Sequence, residues 1–302
     1  MAITTESRGA ARLFGNPYLL LALASLFWSG NHIMGRAIAG QVPPIAIGTL
    51  RWLLAAILLW PFVRHRLARD WPLVRPRLGI IIYLSLLGGA IFGTLQFVGL
   101  QYTTALNVSV MNSLAPVLIV AASAVMFRDT LTARQGVGIA ISLAGVLVII
   151  SRLDPGVITG LGFNIGDVII LINMGLWAIY SASLRLRPRI DGLSFMFLFA
   201  LISGVAMLPA FAWEITTGYV LQPTLLTFSA ITFVTLFSTI GAFMCWTRGV
   251  ELIGPNRAGV FLHLVPIYSA LLTGVLLGEP LRIYHVIGFV LILIGVWCAG
   301  RR

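Results

Sequence analysis

The sequence is poor in charge: 10% of its 302 residues are charged, and none of them is lysine. Soluble domains carry about 25% charged residues, so this chain cannot cover a water-exposed fold with polar groups. Because 59% of the residues are hydrophobic, the composition indicates a protein that has lipid as its solvent. In a soluble protein the net charge of +11 would suggest nucleic acid, but in a membrane protein it bears on orientation. We therefore expect a lipid bilayer and no nucleic acid as partner.

The sequence also lacks the usual signatures of catalysis and of disulfide scaffolds. Its two cysteines, Cys245 and Cys298, both lie in apolar runs, and we interpret them as small buried hydrophobes. The zinc motif His-Glu-x-x-His, the serine nucleophile motif of hydrolases and the Walker phosphate loop are missing. We expect no catalytic residue, no metal and no cofactor, and a membrane-embedded enzyme remains the alternative from another class.

What the sequence does contain is ten long apolar runs. A helix of about 20 apolar residues crosses a bilayer, and the runs lack the alternation of barrel strands. We predict an all-α polytopic membrane protein with ten transmembrane helices. The predicted spans cover roughly 17–36, 44–63, 78–99, 104–126, 132–151, 164–184, 193–213, 228–250, 255–277 and 281–299.

The arginines predict the orientation, since positively charged loops stay in the cytoplasm. With the N-terminus inside, only Arg36, Arg152 and Arg282 fall in outer loops, and Arg51 falls within span 2. Both termini are therefore predicted to be cytoplasmic. Residues 17–30 also resemble a cleaved signal peptide, but a partner for this span in the second half argues against cleavage.

The two halves of the chain repeat each other. With a shift of 150, residues 97–152 align on 247–302 without a gap, and a shift of 149 aligns helix 1 on helix 6. The matched pairs are Trp28 with Trp177, Pro116 with Pro266, Gly138 with Gly288 and Gly145 with Gly295. Five spans per half is an odd number, so the second half enters the membrane from the opposite side. We predict two inverted five-helix repeats, residues 1–152 and 153–302, around a central cavity, a plan typical of secondary transporters. A duplicated scaffold without transport is the alternative.

Polar residues are costly in lipid and usually face a wet interior. They are concentrated in spans 1, 3, 4, 6, 8 and 9, which we expect to surround the cavity, while spans 2, 5, 7 and 10 brace the bundle or face lipid. The candidate cavity residues are Trp28, Asn31, His32, Tyr83, Gln96, Asn112, Trp177, Tyr180, Trp246 and His263. The central aromatics would form a cage for a flat or apolar substrate, or serve as interfacial anchors. We assign the anchor role to Trp52, Trp60, Trp71, Trp213 and Trp297.

Two sets of backbone-shaping residues follow the repeat. Pro116 and Pro266 bend their helices, either as gate hinges or as static kinks. The glycines of spans 5 and 10 are spaced by two helical turns, which places each pair on one face and predicts close helix packing. These glycines are Gly138, Gly145, Gly288 and Gly295.

Three ionisable residues leave alternatives open. His263 is near the middle of span 9, where it is either a titrating gate or a neutral ring bonded to a hydroxyl. His32 is nearer the outer end of span 1, where a hydrated ring is the simpler interpretation. Arg51 either extends outward to the headgroups or remains a fixed cation near the path, which draws a carboxylate or helps the first half to fold.

Several segments together resemble a known family. They are Leu26-Phe27-Trp28-Ser29-Gly30-Asn31 in span 1, Arg51-Trp52 in span 2, and the proline-to-acid segments that end at Asp129 and Glu279. This pattern resembles the EamA-type members of the drug/metabolite transporter superfamily, and most of all the bacterial YddG-type exporters of aromatic and other neutral amino acids. The resemblance implies a ten-helix basket that exports a small-molecule substrate across the bacterial inner membrane by alternating access.

The sparse charges refine that expectation. No Asp or Glu lies deep in a predicted span, which favours an uncoupled facilitator over ion coupling. A single intramembrane cation suits small neutral or zwitterionic solutes better than phosphates. A proton-coupled drug, metabolite or lipid efflux carrier is the alternative, and no obligate protein partner is expected.

Overall fold

The computed structural model describes residues 15–38, 40–100, 102–103, 105–160, 162, 164–218, 221–277 and 282–300. Within these ranges the chain is helical and contains no strand, which confirms the all-α prediction. The helices follow the predicted spans in order. They are Pro17–Ala37 (span 1), Pro44–Val74 (span 2), 78–100 (span 3), 105–127 (span 4), Ala133–Ser151 (span 5), Ile165–Ser183 (span 6), Gly192–Thr216 (span 7), Leu225–Ile253 (span 8), 255–277 (span 9) and Ile283–Gly300 (span 10).

Eight helical stretches of the described residues are long and apolar enough to cross a membrane. One of them, Pro44–Gln96, has 53 residues. At 1.5 Å per residue it would be about 80 Å long, more than twice the thickness of the hydrocarbon core. It therefore contains spans 2 and 3, joined by the short 3-10 turn Arg75–Arg77. Span 1, a helix of 21 residues, is outside the eight and completes the ten helices.

Four spans are built from more than one helical piece. In span 4 the pieces Ala105–Ser113 and Ala115–Phe127 meet at Leu114, two residues before Pro116. Span 9 contains Pro255–Gly259, a 3-10 segment Val260–His263 and then Leu264–Leu277, with Pro266 in its first turn. Each of the matched prolines thus lies in the first turn of the helix that follows an irregularity, where its missing N–H removes no hydrogen bond within that helix.

Spans 3 and 8 each contain a π-helical segment at equivalent places. In span 3 it is Leu86–Ile91, between Leu78–Ser85 and Phe92–Leu100. In span 8 it is Val234–Gly241, between Leu225–Phe233 and Ala242–Ile253. The shift of 149 that aligns the first helices of the repeats also superimposes these two segments. π-helical segments are rare in proteins, and many of those that occur lie at functional sites.

Caps fix where several spans begin. Capping boxes pair Thr132 with Gln135 at span 5 and Asn164 with Asp167 at span 6. At span 2 the cap comes from the other repeat, because the Glu214 carboxylate accepts hydrogen bonds from the main-chain N–H groups of residues 45 and 46 at 2.8 and 2.6 Å. A carboxylate at a helix N-terminus also complements the helix dipole. Glu214 thereby ties span 7 to span 2.

The packing of the spans follows a pseudo-twofold pattern. Span 1 packs against spans 8 and 9, and its equivalent, span 6, packs against spans 3 and 4. Spans 2 and 7, which are equivalent to each other, pack together, and spans 5 and 10 do the same. Each contact of one repeat is thus matched by the equivalent contact of the other, as in an isologous interface. The two five-helix repeats form one bundle about this axis.

The glycines of spans 5 and 10 lie directly against each other. A Cβ atom on Gly138 would be 2.7 Å from the carbonyl oxygen of Gly295, and one on Gly145 would be 2.7 Å from that of Gly288. Gly138 thus contacts the equivalent of Gly145, and Gly145 contacts the equivalent of Gly138, as a pseudo-twofold axis requires. Glycine allows this approach of two backbones because it has no side chain.

Candidate substrate site

Eight aromatic rings meet where the two repeats join, and we call them the aromatic cluster. Spans 1, 2 and 3 contribute Trp28, Trp52 and Phe92, and spans 6, 7 and 8 contribute Trp177, Tyr180, Phe199, Phe243 and Trp246. The equivalent residues Trp28 and Trp177 contact each other edge to face, with ring centroids 5.4 Å apart at 83°. Trp246 lies 5.6 Å from Trp28 and 5.7 Å from Trp177. These offset geometries are favourable for aromatic rings.

Local sequence explains why the rings converge. In span 8, Phe243, Trp246 and Val250 are spaced by three and four residues and share one helix face, and all three are buried. Tyr180 in span 6 fits because a glycine faces it, since a Cβ on Gly88 would be 2.5 Å from its ring. Gly88 belongs to the π-helical segment of span 3, so this segment shapes the cluster directly.

A cavity of about 270 Å³ lies beside the aromatic cluster, between spans 7 and 8. Its inner wall includes Phe243, a member of the cluster. It also touches Phe195, Met196 and Thr247, and its outer part is lined by Arg187, Arg248 and Glu251. The cavity therefore connects the cluster with one membrane face, which we call the arginine-rich face because it carries Arg66, Arg185, Arg187 and Arg248.

Ion pairs surround this cavity mouth. Glu251 Oε2 accepts from Arg187 at 3.2 Å and from Arg248 at 3.0 Å, so one carboxylate is shared by two guanidinium groups. Arg187 also lies over the ring of Phe195, 5.1 Å from its centroid, and burial lowers the pKa of this arginine. The mouth is polar and carries excess positive charge, while the inner wall is aromatic.

A second pair connects the ends of spans 4 and 6 on the same face. Arg185 donates to both oxygens of Asp129, and this hydrogen bond holds the pKa of the carboxyl below its usual value. The arginine also lies over the ring of Phe127, 4.2 Å from its centroid.

The predicted cavity residues fall into two groups. Trp28, Trp177, Tyr180 and Trp246 are together in the aromatic cluster. The others lie around it. Gln96 accepts from the amide of Asn173 at 2.9 Å, and the half-exposed Tyr83 shares a hydrogen bond of 3.2 Å with Ser183. Asn31 and Asn112 are half-buried, and the side chain of His32 is outside the described part of the chain.

His263 lies away from the aromatic cluster. Both ring nitrogens are bonded, Nδ1 with the hydroxyl of Ser142 at 2.7 Å and Nε2 with the carbonyl of Ser113 at 2.9 Å. The residue is 1% exposed. Ser113 is the repeat equivalent of His263, so this contact joins spans 4 and 9 near the pseudo-twofold axis and extends to span 5.

Two expectations about the centre are wrong. Trp52 is not an interfacial anchor: it is fully buried, with its ring 5.3 Å from Phe199 and 5.0 Å from Phe243. Spans 2 and 7 are not confined to lipid or bracing, because they supply Trp52 and Phe199 to the cluster and Phe195 to the cavity. Their polar side chains are few, but pockets in proteins are lined mainly by hydrophobic and aromatic side chains. The exposed tryptophans are Trp60, Trp71, Trp213 and Trp297.

Arg51 lies at the edge of the cluster. Its guanidinium carbon is 5.2 Å from the centroid of the Trp52 ring, and one terminal nitrogen is 3.4 Å from the place where Gly93 would carry a Cβ. Its Nε is buried without a hydrogen-bond partner among the described residues. The long side chain thus remains inside the bundle, against span 3.

Sequence reasoning missed all three phenylalanines of the aromatic cluster and the charged mouth of the cavity. Phe92, Phe199 and Phe243 lie among many similar apolar residues, and only the helical spacing of Phe243 and Trp246 gives a signal. Arg187 was assigned to a cytoplasmic loop by charge alone, which does not reveal a cavity.

Known proteins resemble this chain over almost its whole length. It is 26% identical over 287 residues to the uncharacterized transporter YyaM of Bacillus subtilis, covering 94% of this chain and 93% of that protein. An uncharacterized transporter of Archaeoglobus fulgidus is 26% identical over 299 residues, covering 94% of this chain and 97% of that protein. A protein of known crystal structure shares the fold with a TM-score of 0.74 at 21% identity, covering 94% of this chain and 96% of that one.

The family comparison reproduces the internal repeat. The model of the EamA-like transporter family matches twice, at residues 16–151 and 164–301, and together the matches cover most of the chain. The multi-pass helical bundle described above is thus that of a membrane transporter, and the chain belongs to the EamA-like transporter family.

Proposed function

We propose that this transporter exports neutral amino acids, aromatic ones foremost, from the cytoplasm to the periplasm of a bacterium by alternating access. The observation that carries the proposal is the aromatic cluster at the junction of the repeats, reached through a cavity from the arginine-rich face. In transporters built from inverted repeats the substrate binds at this junction. Edge and face contacts with Trp28, Trp177 and Phe243 suit a flat ring.

The direction of transport rests on the distribution of arginines. Positively charged loops remain cytoplasmic, so the arginine-rich face is the cytoplasmic one and both termini lie there, in the inner membrane. The mouth of the cavity, which is lined by Arg187, Arg248 and Glu251, then opens to the cytoplasm, so that substrate enters from there. The proposal also takes residues 1–152 as the first repeat and residues 153–302 as the second.

We further propose that export is an uncoupled, downhill process. Coupling to protons usually relies on buried carboxylates or histidines that face the path. Here the buried carboxylate of Asp167 accepts hydrogen bonds from the side chains of Asn107 and Thr103. Both ring nitrogens of His263 are hydrogen-bonded, one to Ser142 and the other to Ser113. These groups are engaged in helix contacts, which supports transport without an imposed ion gradient.

Flux of labelled tryptophan into liposomes that contain only this protein tests the proposal. We expect downhill flux without a proton gradient, reduced at least about tenfold by Trp177→Ala, since the ring lies in the centre of the cluster. Trp213→Ala is the matched control, because Trp213 is 64% exposed. Absence of flux for every neutral amino acid would refute the substrate, and a strict requirement for a pH gradient would refute the uncoupled mechanism in favour of a proton-coupled carrier.

A further inference from the structure

The aromatic cluster borders the cation Arg51 within the membrane-spanning helices. The guanidinium of Arg51 lies against the ring of Trp52, and Trp52 in turn is 5.0 Å from Phe243. On its other side is Gly93, which directly follows Phe92, a ring 4.8 Å from Trp177. Arg51 therefore meets the cluster through two neighbouring chain segments, and it is half-buried.

The carboxylates that could pair with this cation are held elsewhere. Each of the seven that the structure describes contacts a partner away from the cluster. Asp70 accepts from the N–H of Asp191, Asp129 pairs with Arg185, Asp154 accepts from the N–H of Gly156, Asp167 accepts from Asn107, Asp191 pairs with Arg66, Glu214 caps span 2, and Glu251 pairs with Arg187 and Arg248. Among the described residues, therefore, no carboxylate pairs with Arg51.

Two unpartnered donors beside the cluster favour a ligand that accepts hydrogen bonds. A buried N–H donor without an acceptor is unfavourable, and Arg51 Nε and Trp52 Nε1 are both such donors in the described chain. Guanidinium groups bind carboxylates through two parallel hydrogen bonds. A ligand carboxylate would satisfy these donors, whereas a ligand ammonium would be repelled by Arg51.

We infer that the site selects aromatic carboxylates: Arg51 binds the carboxylate, the aromatic cluster binds the ring, and the ammonium group of an amino acid is dispensable. The inference rests on the proposed function for the place of the ring and extends it in substrate class. It assigns Arg51 as the residue that determines specificity. Aromatic acids without an amino group become ligands, and aromatic amines without a carboxylate do not.

Calorimetric titration of the purified protein in detergent with three indoles tests this. Tryptophan has both charged groups, indole-3-propionate has only the carboxylate, and tryptamine has only the ammonium. We expect indole-3-propionate to bind at least as tightly as tryptophan, and tryptamine about tenfold to a hundredfold more weakly, as for loss of a charged hydrogen bond. Arg51→Gln should weaken both carboxylates by the same factor and should not weaken tryptamine, whose ammonium is no longer repelled, while Arg51→Lys should retain part of the discrimination.

Two further measurements separate specificity from folding. Arg51 forms no ion pair among the described residues, so Arg51→Gln is expected to melt no earlier than the native protein. Arg66→Gln is the control, because Arg66 pairs with Asp191 at the arginine-rich face and is 49% exposed. If Arg51 is only structural, its replacement will lower stability and weaken all three ligands alike.

The inference is overturned if tryptamine binds as tightly as indole-3-propionate, if indole-3-propionate does not bind, or if Arg51→Gln leaves their ratio unchanged. Failure of amino-acid export is a different result. It would be seen as absent tryptophan flux in liposomes, while Arg51-dependent binding of indole-3-propionate could still be measured in detergent.

Discussion

Gly88 and Tyr180 set the shape of the aromatic cluster at the scale of single residues. The ring of Tyr180 occupies the space where any other residue at position 88 would place its Cβ. We expect Gly88→Ala to lower the free energy of unfolding by about 1–3 kcal/mol and to reduce transport, because the ring must move into the cluster. Gly175→Ala is the control, since nothing lies within 4 Å of its Cβ position. Thermal unfolding in detergent and flux in liposomes measure both effects, and equal behaviour of the two variants would contradict this account.

Trp52 provides a second test at this scale. The fully buried ring packs on Phe199 and Phe243, whereas Trp60, two turns further along span 2, is 50% exposed. We expect Trp52→Ala to cost roughly 3–5 kcal/mol of unfolding free energy and Trp60→Ala far less, because only the first leaves an internal cavity. Comparable losses of stability in thermal unfolding would show that Trp52 is not a core residue.

The same two residues mark the limit of prediction from sequence. Hydropathy located the start of span 2, although the helix continues beyond the predicted end at 63 to Val74, and it does not give the rotation of the helix about its axis. Trp52 follows Arg51, and this arrangement fits a helix end at the membrane interface as well as the edge of a buried site. The residues that bury Trp52 are Phe199 and Phe243. They lie about 150 and 190 positions away in the sequence and differ little in type from their neighbours, so the sequence does not reveal the contact.

At the scale of helices, spans 5 and 10 depend on contact between backbones. Gly145 lies against the carbonyl of Gly288, which cannot move without displacing span 10, while the Cβ position of Gly136 in the same span meets only one side-chain atom at 3.5 Å. We expect Gly145→Ala to lower the unfolding free energy by about 1–3 kcal/mol and Gly136→Ala to have little effect. Thermal unfolding of the two variants checks this, and a stable Gly145→Ala protein would mean that the two helices separate easily.

Not all elements could be predicted with equal success. The glycine spacing of seven residues is a direct consequence of helical geometry, so the packing face was readable from the sequence. The π-helical segments Leu86–Ile91 and Val234–Gly241 were not, because one extra residue in a turn leaves no mark in hydropathy. Only the structure shows that Gly88, in the first segment, faces Tyr180.

At the scale of the whole molecule, the two membrane faces differ in the contacts between the repeats. At the arginine-rich face a cavity reaches the aromatic cluster. At the opposite face the loops between spans 1 and 2 and between spans 7 and 8 are joined, because the N–H of Gln222 donates to the carbonyl of Gln41 at 2.9 Å. Glu214 adds a second connection between spans 7 and 2. The proposed alternating access requires that such contacts at the opposite face separate during transport.

A disulfide across these loops should therefore stop transport without stopping binding. The main-chain contact of Gln41 and Gln222 places them near the roughly 4.4–6.8 Å between Cα atoms that a disulfide spans. In a variant with Cys245→Ala and Cys298→Ala, adding Gln41→Cys and Gln222→Cys should abolish flux of labelled tryptophan on oxidation, and reduction should restore it. Calorimetric binding of tryptophan should persist in the oxidised protein, because the cavity at the arginine-rich face remains accessible. Gln41→Cys alone, oxidised in the same way, is the control, and full flux through the cross-linked protein would show that these loops need not separate.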